Sequence, residues 1–520
     1  MKKNGIKYVK SKFFPLLLYS LVTGILTGAI IYLFKIASSY VISLSGNIFG
    51  YVRDNLAFLP LLILGAAALG LLAALILQIA PESRGGGIPS AIAALRGQVP
   101  IKRIVSLPLV FISSLLTYVC GVPLGTEGPA VQMGTLVGWT TSRVFGRKNR
   151  AWHRYIMTGG ACAGFASATG APLTGIFFAF EEAHRRFTPL IFMSASLTVA
   201  VSSVTMELLC SVSGISSGLF GFTIDTVMGI KYLWVAPIIG IVCGIVAVFF
   251  TKAYRTVNSR LGRLAKRLPF ALRIVIIFVL VALIGVALED CIGTGHHTVD
   301  MLIEGEGVWY LLLIVFLVRA ALLMISNTQG VTGGLFIPTL AFGAMIGALC
   351  GKGMTAAGLL PGEYLIITVV IGMTSFLAAS SRVPLTALAF ALEALSGATN
   401  FLPISIGIAI SFAVIEIVGV ESFNDTVVDI KIEERNRGRE IIENDVELIV
   451  QKGAFVSGQE IRDILWPPDC VVVSVIKAPG RPHGAGLDRG DLLCIHYRTA
   501  HPEFIAERLE ELLGKQSYTD

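Results

Sequence analysis

The chain has 520 residues, of which 54% are hydrophobic and 14% charged, and its mean hydropathy is +0.76. This leaves too little polar surface to cover a soluble globule of that length, so the composition indicates a polytopic membrane protein. The net charge of +7 lies largely in basic clusters beside apolar segments. That placement is typical of cytoplasmic loops and does not predict nucleic acid as a partner.

Apolar segments follow one another from Phe14 to Gly419, which allows roughly a dozen or more membrane helices, some of them short or tilted. Five lysines in residues 1–12 predict a cytoplasmic N-terminus. The apolar run after them is too long for the core of a secretory signal. The eight cysteines stand singly, which indicates packing residues rather than a disulfide framework.

A repeat can be found by comparing two apolar segments. Residues 172–183 (PLTGIFFAFEEA) and 384–395 (PLTALAFALEAL) share Pro-Leu-Thr and place a glutamate nine residues after the proline. The glutamates are Glu181 and Glu393, which are 212 residues apart. This similarity indicates an internal duplication.

A second pair of segments agrees with the first. Glycines fall five and nine residues after Pro129 and again after Pro338, and these prolines are 209 residues apart. Two independent pairs in nearly one register predict a duplicated membrane fold, with halves at about 14–215 and 230–425.

Three segments place glycines and then a proline ahead of an apolar run: 84–91 (RGGGIPSA), 125–130 (GTEGPA) and 333–340 (GGLFIPTL). This pattern is typical of a helix start. Interrupted helices are tolerated in a membrane only where their freed backbone groups face protein or a polar cavity. Three helix starts that converge near the membrane midplane would bind an anion, whereas any one of them alone could be a packed helix end without a ligand.

In this order and spacing, the three motifs resemble those of the CLC family of chloride channels and transporters, over about residues 14–425. The resemblance implies an all-α membrane protein of the inverted-repeat CLC type with broken, tilted helices. It also implies a homodimer in which each subunit has its own pathway for chloride, another halide or nitrate. By the resemblance, the anion-binding residues are Gly86, Gly87, Ile88, Thr126, Glu127, Gly128, Leu335, Phe336, Ile337 and Phe423.

Glu127 is the only charged residue between Arg103 and Arg143. A charge at mid-membrane costs on the order of 3 kcal/mol unless it is satisfied, so a functional role is expected. We interpret Glu127 as a gate: ionised, it competes with the anion for backbone donors, and protonated, it admits the anion. The alternative is a structural pair with a distant arginine.

A second glutamate separates the exchangers of the family from its passive channels. By the resemblance, Glu182 in "GAPLTGIFFAFEEAHRRF" (170–187) falls on the proton-pathway position, which favours chloride/proton exchange over a passive chloride or broad-anion channel. The alternative is that Glu181 and Glu182 only neutralise the adjacent basic residues, a role that suits Glu181 better.

The sequence departs from the family pattern at two hydroxyl groups. The serine of the first motif is replaced by Gly86, and the tyrosine expected near the last membrane helix is replaced by Phe423. These replacements predict an inner constriction that is wider and poorer in donors, hence looser coupling and weak discrimination among chloride, bromide and nitrate.

After a charged linker (426–444), residues 445–520 predict a small α+β domain with strands at 446–450, 470–478 and 491–498 and a helix at 502–514. This domain resembles the TrkA-C module of prokaryotic potassium-uptake regulators, through "GLDRGDLL" (486–493) above all. The resemblance implies a cytoplasmic regulatory domain with a small-molecule ligand, and a multi-pass protein of a bacterial inner membrane with both termini in the cytoplasm.

Other functions fit less well. A cation transporter is disfavoured because the filter motif Thr-Val-Gly-Tyr-Gly is absent and the broken helices present their N-termini. No hydrolase, metalloprotease or phosphate-loop motif occurs, so we expect neither enzymatic chemistry nor a cofactor beyond the transported anion and proton. His296 and His297 lack the further ligands that a metal site needs.

Overall fold

The computed structural model describes residues 13–101, 104–145, 150–265, 267–479 and 486–516, so the N-terminal lysines lie outside the described residues. Within these ranges, nine helices are long and apolar enough to cross a membrane. Several others are shorter, as a fold built from broken helices requires.

The helices of the membrane region form two series of eight. The first series is α1 (Phe14–Asp54), α2 (Leu59–Ile79), α3 (Gly87–Leu95), α4 (Ser106–Val119), α5 (Glu127–Phe145), α6 (His153–Thr169), α7 (Pro172–Phe178) and α8 (Pro189–Ser213). The second series is α9 (Val235–Ala265), α10 (Phe270–Ala287), α11 (His296–Ile303), α12 (Trp309–Thr328), α13 (Phe336–Ala356), α14 (Leu365–Ser381), α15 (Pro384–Ala394) and α16 (Phe401–Val418).

The two series pack in the same way. In each, the first helix packs along the eighth and the fifth along the sixth, so α1 with α8 and α5 with α6 correspond to α9 with α16 and α13 with α14. The repeats meet where α7 packs against α15. The predicted all-α fold with a duplicated, broken-helix architecture is therefore confirmed.

The repeated glycines explain the close contact of the fifth and sixth helices. A Cβ atom on Gly134 would lie 2.1 Å from the carbonyl oxygen of Gly160, and one on Gly343 would lie 2.4 Å from that of Gly372. Only glycine lets these backbones approach so closely. The spacing shared by the two halves thus encodes the same helix contact twice.

A last helix, α17 (Phe423–Asn436), extends into the segment expected to be a charged linker. Its first turns are buried and pack against α3, while most of its charged residues lie further along. The helix begins at Ser422, whose hydroxyl accepts the backbone N–H of Asp425 at 3.0 Å. The linker segment is thus mostly helix, and only about five residues separate α17 from the next strand.

The C-terminal part, here called the tail domain (442–516), has a three-stranded antiparallel sheet in the order β1-β3-β2. Its elements are β1 (Ile442–Ile449), β2 (Cys470–Ile476), β3 (Leu492–Thr499) and α18 (Pro502–Leu513). The strands and the helix agree with the sequence prediction, although β1 begins four residues earlier. One face of α18, with Ile505 and Leu509, is buried against the sheet.

A buried carboxylate organises the turn before β3. Asp491 accepts the backbone N–H groups of Asp488 at 2.9 Å and Ala478 at 3.1 Å and the ammonium of Lys477 at 2.9 Å. Burial alone would raise the pKa of Asp491, but these donors hold the pKa below its ordinary value. The residues that follow β2 are thereby tied to the turn that leads into β3.

The tail domain lies against the membrane region through the segment 463–466. Arg154, at the start of α6, donates to the carbonyl oxygens of Leu465 at 3.1 Å and Trp466 at 2.7 Å. The same guanidinium donates to the carbonyl oxygen of Leu95 at 2.8 Å, at the end of α3. One partly buried arginine therefore connects the tail domain to a helix of the membrane region.

Candidate functional site

The three glycine-proline motifs meet in the centre of the membrane region. Gly125 and Gly334 exchange backbone hydrogen bonds of 2.7 and 2.6 Å, and Gly86 forms a bridge with Gly333. A Cβ atom on Gly87 would lie 2.0 Å from the carbonyl oxygen of Gly128. The starts of α3, α5 and α13 thus converge, and glycine is required where their backbones touch.

Most of the residues that the resemblance implies for anion binding lie where the three helix starts converge. Gly86 and Gly87 lie at the start of α3, Thr126 and Gly128 flank Glu127 at the start of α5, and Leu335, Phe336 and Ile337 open α13. Ile88 and the three residues of α13 are almost completely buried. Helix starts carry unpaired N–H groups and a partial positive charge, so this cluster is suited to a small anion.

Glu127 lies at this convergence and is fully buried. Its Oε1 accepts the hydroxyl of Thr126 at 2.8 Å, while Oε2 has no hydrogen-bond partner among the residues that the structure describes. The backbone N–H groups of Glu127 and Ile337 also face the carboxylate. The acidic group thus occupies the position where backbone donors would hold an anion.

A cavity of about 610 Å³, here called the Glu127 cavity, opens beside Thr126. Lys35 of α1 lines it and donates to the carbonyl oxygens of Ser217 at 2.7 Å and Gly218 at 3.1 Å. The ammonium attracts the Glu127 carboxylate electrostatically. Sequence analysis did not identify Lys35, although it is the only charged residue between Phe14 and Arg53 and intramembrane charges are usually functional.

Tyr118 is a second residue that sequence analysis did not identify. Its hydroxyl donates to the carbonyl oxygen of Gly125 at 2.9 Å and so supports the backbone that precedes Glu127. A tyrosine in an apolar helix gives no signal of such a contact, because the partner depends on how α4 folds back to the start of α5.

Glu182 lies at the end of α7, where the chain forms a π-helical turn over Ala179–Ala183. Its side chain is buried, and Oε1 accepts a hydrogen bond from the amide of Asn424. Arg96 donates to the carbonyl oxygen of Glu182 at 2.8 Å and to Asp425 at 2.8 Å. This part of the chain is therefore held between α3 and α17.

The basic residues after Glu182 have other partners. Arg185 forms an ion pair with Asp425, and Arg186 donates to the carbonyl oxygen of Ile464 at 2.8 Å. His184 shares a hydrogen bond of 2.7 Å with Thr158. The geometry therefore does not favour charge neutralisation as the role of Glu182.

A small cavity, here called the Glu182 cavity, joins this glutamate to the converging helix starts. It is lined by Ile88, Glu182, Leu335, Phe336, Phe423 and Asn424, among others. Phe423 packs edge-on against Tyr254, with ring centroids 4.6 Å apart. The structure thus brings Phe423 and Glu182 to one cavity with residues of the first and third motifs.

His296 and His297 line the Glu127 cavity. His296 shares a hydrogen bond of 2.9 Å with Thr294, and His297 lies 3.7 Å from Asp290. Within the described ranges, no group of three or more His, Cys, Asp or Glu side chains is arranged to hold a metal ion.

Comparison with known proteins agrees with this architecture. The family model described as "Voltage gated chloride channel" matches residues 65–416. The chain belongs to this family, the CLC family. The H(+)/Cl(-) exchange transporter ClcA of Salmonella paratyphi B is 31% identical over 400 residues, which cover 75% of this chain and 83% of that protein. ClcA of Salmonella arizonae is 31% identical over 405 residues, with the same coverage.

Solved CLC structures share the fold. A slow cyanobacterial Cl-/H+ antiporter superposes with a TM-score of 0.73 and 23% identity over 81% of this chain and 99% of that one. A CLC-type fluoride/proton antiporter gives a TM-score of 0.64 at 20% identity, over 77% and 95% of the two chains. A eukaryotic CLC transporter gives 0.66 at 19% identity, over 80% and 74%. At these identities the similarity establishes the fold alone.

Proposed function

We propose that this CLC protein exchanges chloride for protons across a membrane. The observation that carries the proposal is the position of Glu127, whose carboxylate faces the backbone donors at the meeting point of three helix starts. The ClcA proteins similar to this chain are named H(+)/Cl(-) exchange transporters, which supports the same activity here.

In this mechanism the anion and the Glu127 carboxylate compete for one set of donors. When Glu127 is ionised it occupies the anion's position, and when it is protonated it withdraws and an anion binds to the backbone around Gly87, Gly128 and Ile337. Each change of occupant thus requires a proton to arrive or leave. The positive charge of Lys35 attracts the Glu127 carboxylate and draws anions into the Glu127 cavity.

Glu182 serves the other end of the proton route. It borders a cavity shared with Ile88 and Phe336, which offers a route for the proton between Glu182 and the converging helix starts. Asn424 orients the carboxylate through its amide hydrogen bond. The anion leaves past Phe423, and the proton transfers through Glu182.

We further propose a homodimer in the inner membrane of a bacterium, with both termini in the cytoplasm. The tail domain acts as a regulatory module of the TrkA-C type that binds a small-molecule ligand. Its contacts with Arg154 and Arg186, near Glu182, support a cytoplasmic position for this end of the pathway.

Purified protein in liposomes tests the proposal. An outward chloride gradient should drive proton uptake, measured with an external pH electrode while a chloride electrode records anion release. A passive channel releases chloride without moving protons against their own gradient. Chloride release without proton uptake, with the voltage clamped by valinomycin and potassium, would therefore exclude exchange.

A further inference from the structure

Asn327, near the end of α12, carries a buried donor that has no partner. Its side chain is 4% exposed, and its Oδ1 accepts the hydroxyl of Tyr254 at 2.7 Å. Its Nδ2 makes no hydrogen bond with the described residues. A buried amide without a partner costs free energy, which a ligand that accepts the hydrogen bond would recover.

The free amide points to the first motif. Nδ2 lies 3.2 Å from the position that a Cβ atom on Gly86 would occupy, and Cδ1 of Leu335 lies 3.1 Å from the same position. The backbone fixes this arrangement, because Gly330 donates to the carbonyl oxygen of Asn327 at 3.0 Å and accepts the N–H of Gly85 at 3.0 Å. The amide thus fills the space that a side chain at residue 86 would fill.

A positive charge, that of Lys431, lies near the first motif. The ammonium of Lys431 donates to the carbonyl oxygen of Arg84 at 2.7 Å and to the hydroxyl of Ser90 at 2.9 Å. Ser90 in turn donates to the carbonyl oxygen of Gly86 at 2.9 Å. The surroundings of Asn327 therefore favour a negatively charged ligand.

We propose that Asn327 is an anion-binding residue that donates its amide N–H to the transported anion beside Gly86. The proposal rests on the proposed anion transport and assigns a donor that the three motifs do not contain. Asn327 supplies a donor in place of the hydroxyl groups that Gly86 and Phe423 lack. Tyr254 is a positioning residue, because its hydroxyl holds Oδ1 while Nδ2 lies beside Gly86.

This assignment changes the expectation for the constriction. A neutral amide stays a donor over the whole accessible pH range, so its contribution to anion binding does not titrate. Gly86 is then required for space, because a larger residue there would crowd Nδ2. Residues 86 and 327 should therefore act as alternatives for one donor position.

Chloride binding to the purified full chain tests the proposal, measured by isothermal titration calorimetry. Asn327→Leu should weaken chloride binding about ten-fold or more, since a hydrogen bond to a charged group is lost. Asn400→Leu is the matched control, because the Asn400 amide is already used by Thr226 and Met228. Tyr254→Phe should weaken binding less than Asn327→Leu.

A double substitution that moves the hydrogen-bond donor from residue 327 to residue 86 makes the test specific. In Asn327→Ala the space beside Gly86 is empty, so adding Gly86→Ser should restore most of the lost affinity. Asn327→Asp keeps the side-chain shape if the leucine variant does not fold, and its carboxylate should abolish chloride binding by repulsion. Chloride binding equal to wild type in Asn327→Leu or in Asn327→Asp would overturn the proposal.

The wild-type chain separates this inference from the proposed function. If wild type binds and exchanges chloride while Asn327→Leu binds it equally well, only the role of Asn327 is wrong. If wild type neither binds chloride nor moves it in liposomes, the proposed anion transport is wrong as well.

Discussion

Glu181 and Glu393 each cap the helix that begins beside the other. Glu181 accepts the backbone N–H groups of Leu385 and Thr386 and the hydroxyl of Thr386, at 2.6–2.8 Å. Glu393 accepts the equivalent three groups of the other repeat at 2.7–2.9 Å. The motif that repeats in the sequence therefore encodes a symmetric contact between the halves. Glu181 caps a helix of the other repeat and does not pair with the adjacent basic residues, which is the structural role that the sequence suggested for it.

Removing either cap should destabilise the membrane region. Glu181→Ala and Glu393→Ala should each lower the free energy of unfolding by about 1–2 kcal/mol, because three donors at a helix start lose their acceptor. Thermal unfolding in detergent measures the loss. The ratio of anions to protons should stay at the wild-type value, and a changed ratio in Glu181→Ala would contradict a purely structural role.

Local motifs explain why much of the site could be predicted. The Gly-Pro helix starts and the repeated glycines act through their own backbone, so their convergence follows from the pattern once the family fold is assumed. Lys35 and Asn327 act through partners far away in the chain, and Tyr118 acts through Gly125 beyond the end of its own helix. Their contacts depend on how α1, α4 and α12 pack, which the local sequence does not specify.

Glu127→Gln tests the gate. Glutamine resembles the protonated glutamate and cannot ionise, so the variant should conduct chloride at a rate that does not change with pH and should not move protons. Liposome flux at several pH values, with chloride and pH electrodes, measures both effects. Glu393→Gln is the matched control and should keep pH dependence, whereas continued proton transport in Glu127→Gln would rule out the gating role.

Glu182→Gln tests the other end of the proton route. Proton transport should disappear while chloride flux continues, since the backbone donors and Glu127 remain in place. Asn424→Leu removes the hydrogen bond that orients Glu182 and should slow proton transport without abolishing it. If Glu182→Gln still exchanges chloride for protons in the wild-type ratio, the proton route runs elsewhere.

Lys35→Met tests the cation beside the Glu127 cavity. Loss of the charge should raise the chloride concentration for half-maximal flux several-fold at low ionic strength, and the effect should shrink as salt screens the field. Lys352→Met is a suitable control, because Lys352 also donates to two loop carbonyl groups, those of Gly305 and Gly307. Equal effects in both variants would mean that loop support, not charge, explains the change.

The docking of the tail domain should depend on Arg154, which is partly buried. Arg154 donates to two carbonyl groups of the tail domain and to the end of α3, whose other end lies at the anion site. Arg154→Met should therefore release the segment 463–466 to limited proteolysis of the full chain and alter the rate of chloride flux. Arg150→Met is the control, because its ion pair with Glu507 is largely exposed and contributes at most about 1 kcal/mol.

Truncation before Ile442 separates regulation from transport. The converging helix starts and both glutamates remain in the shortened chain, so chloride and proton flux should persist at an altered rate. Arg154→Met should shift the rate of the full chain to that of the truncated protein, because both changes free α3 from the tail domain. A truncated protein that is folded and dimeric but has no flux would show that the tail domain belongs to the transport machinery. A rate equal to wild type would show that the contact of the tail domain with α3 does not affect transport.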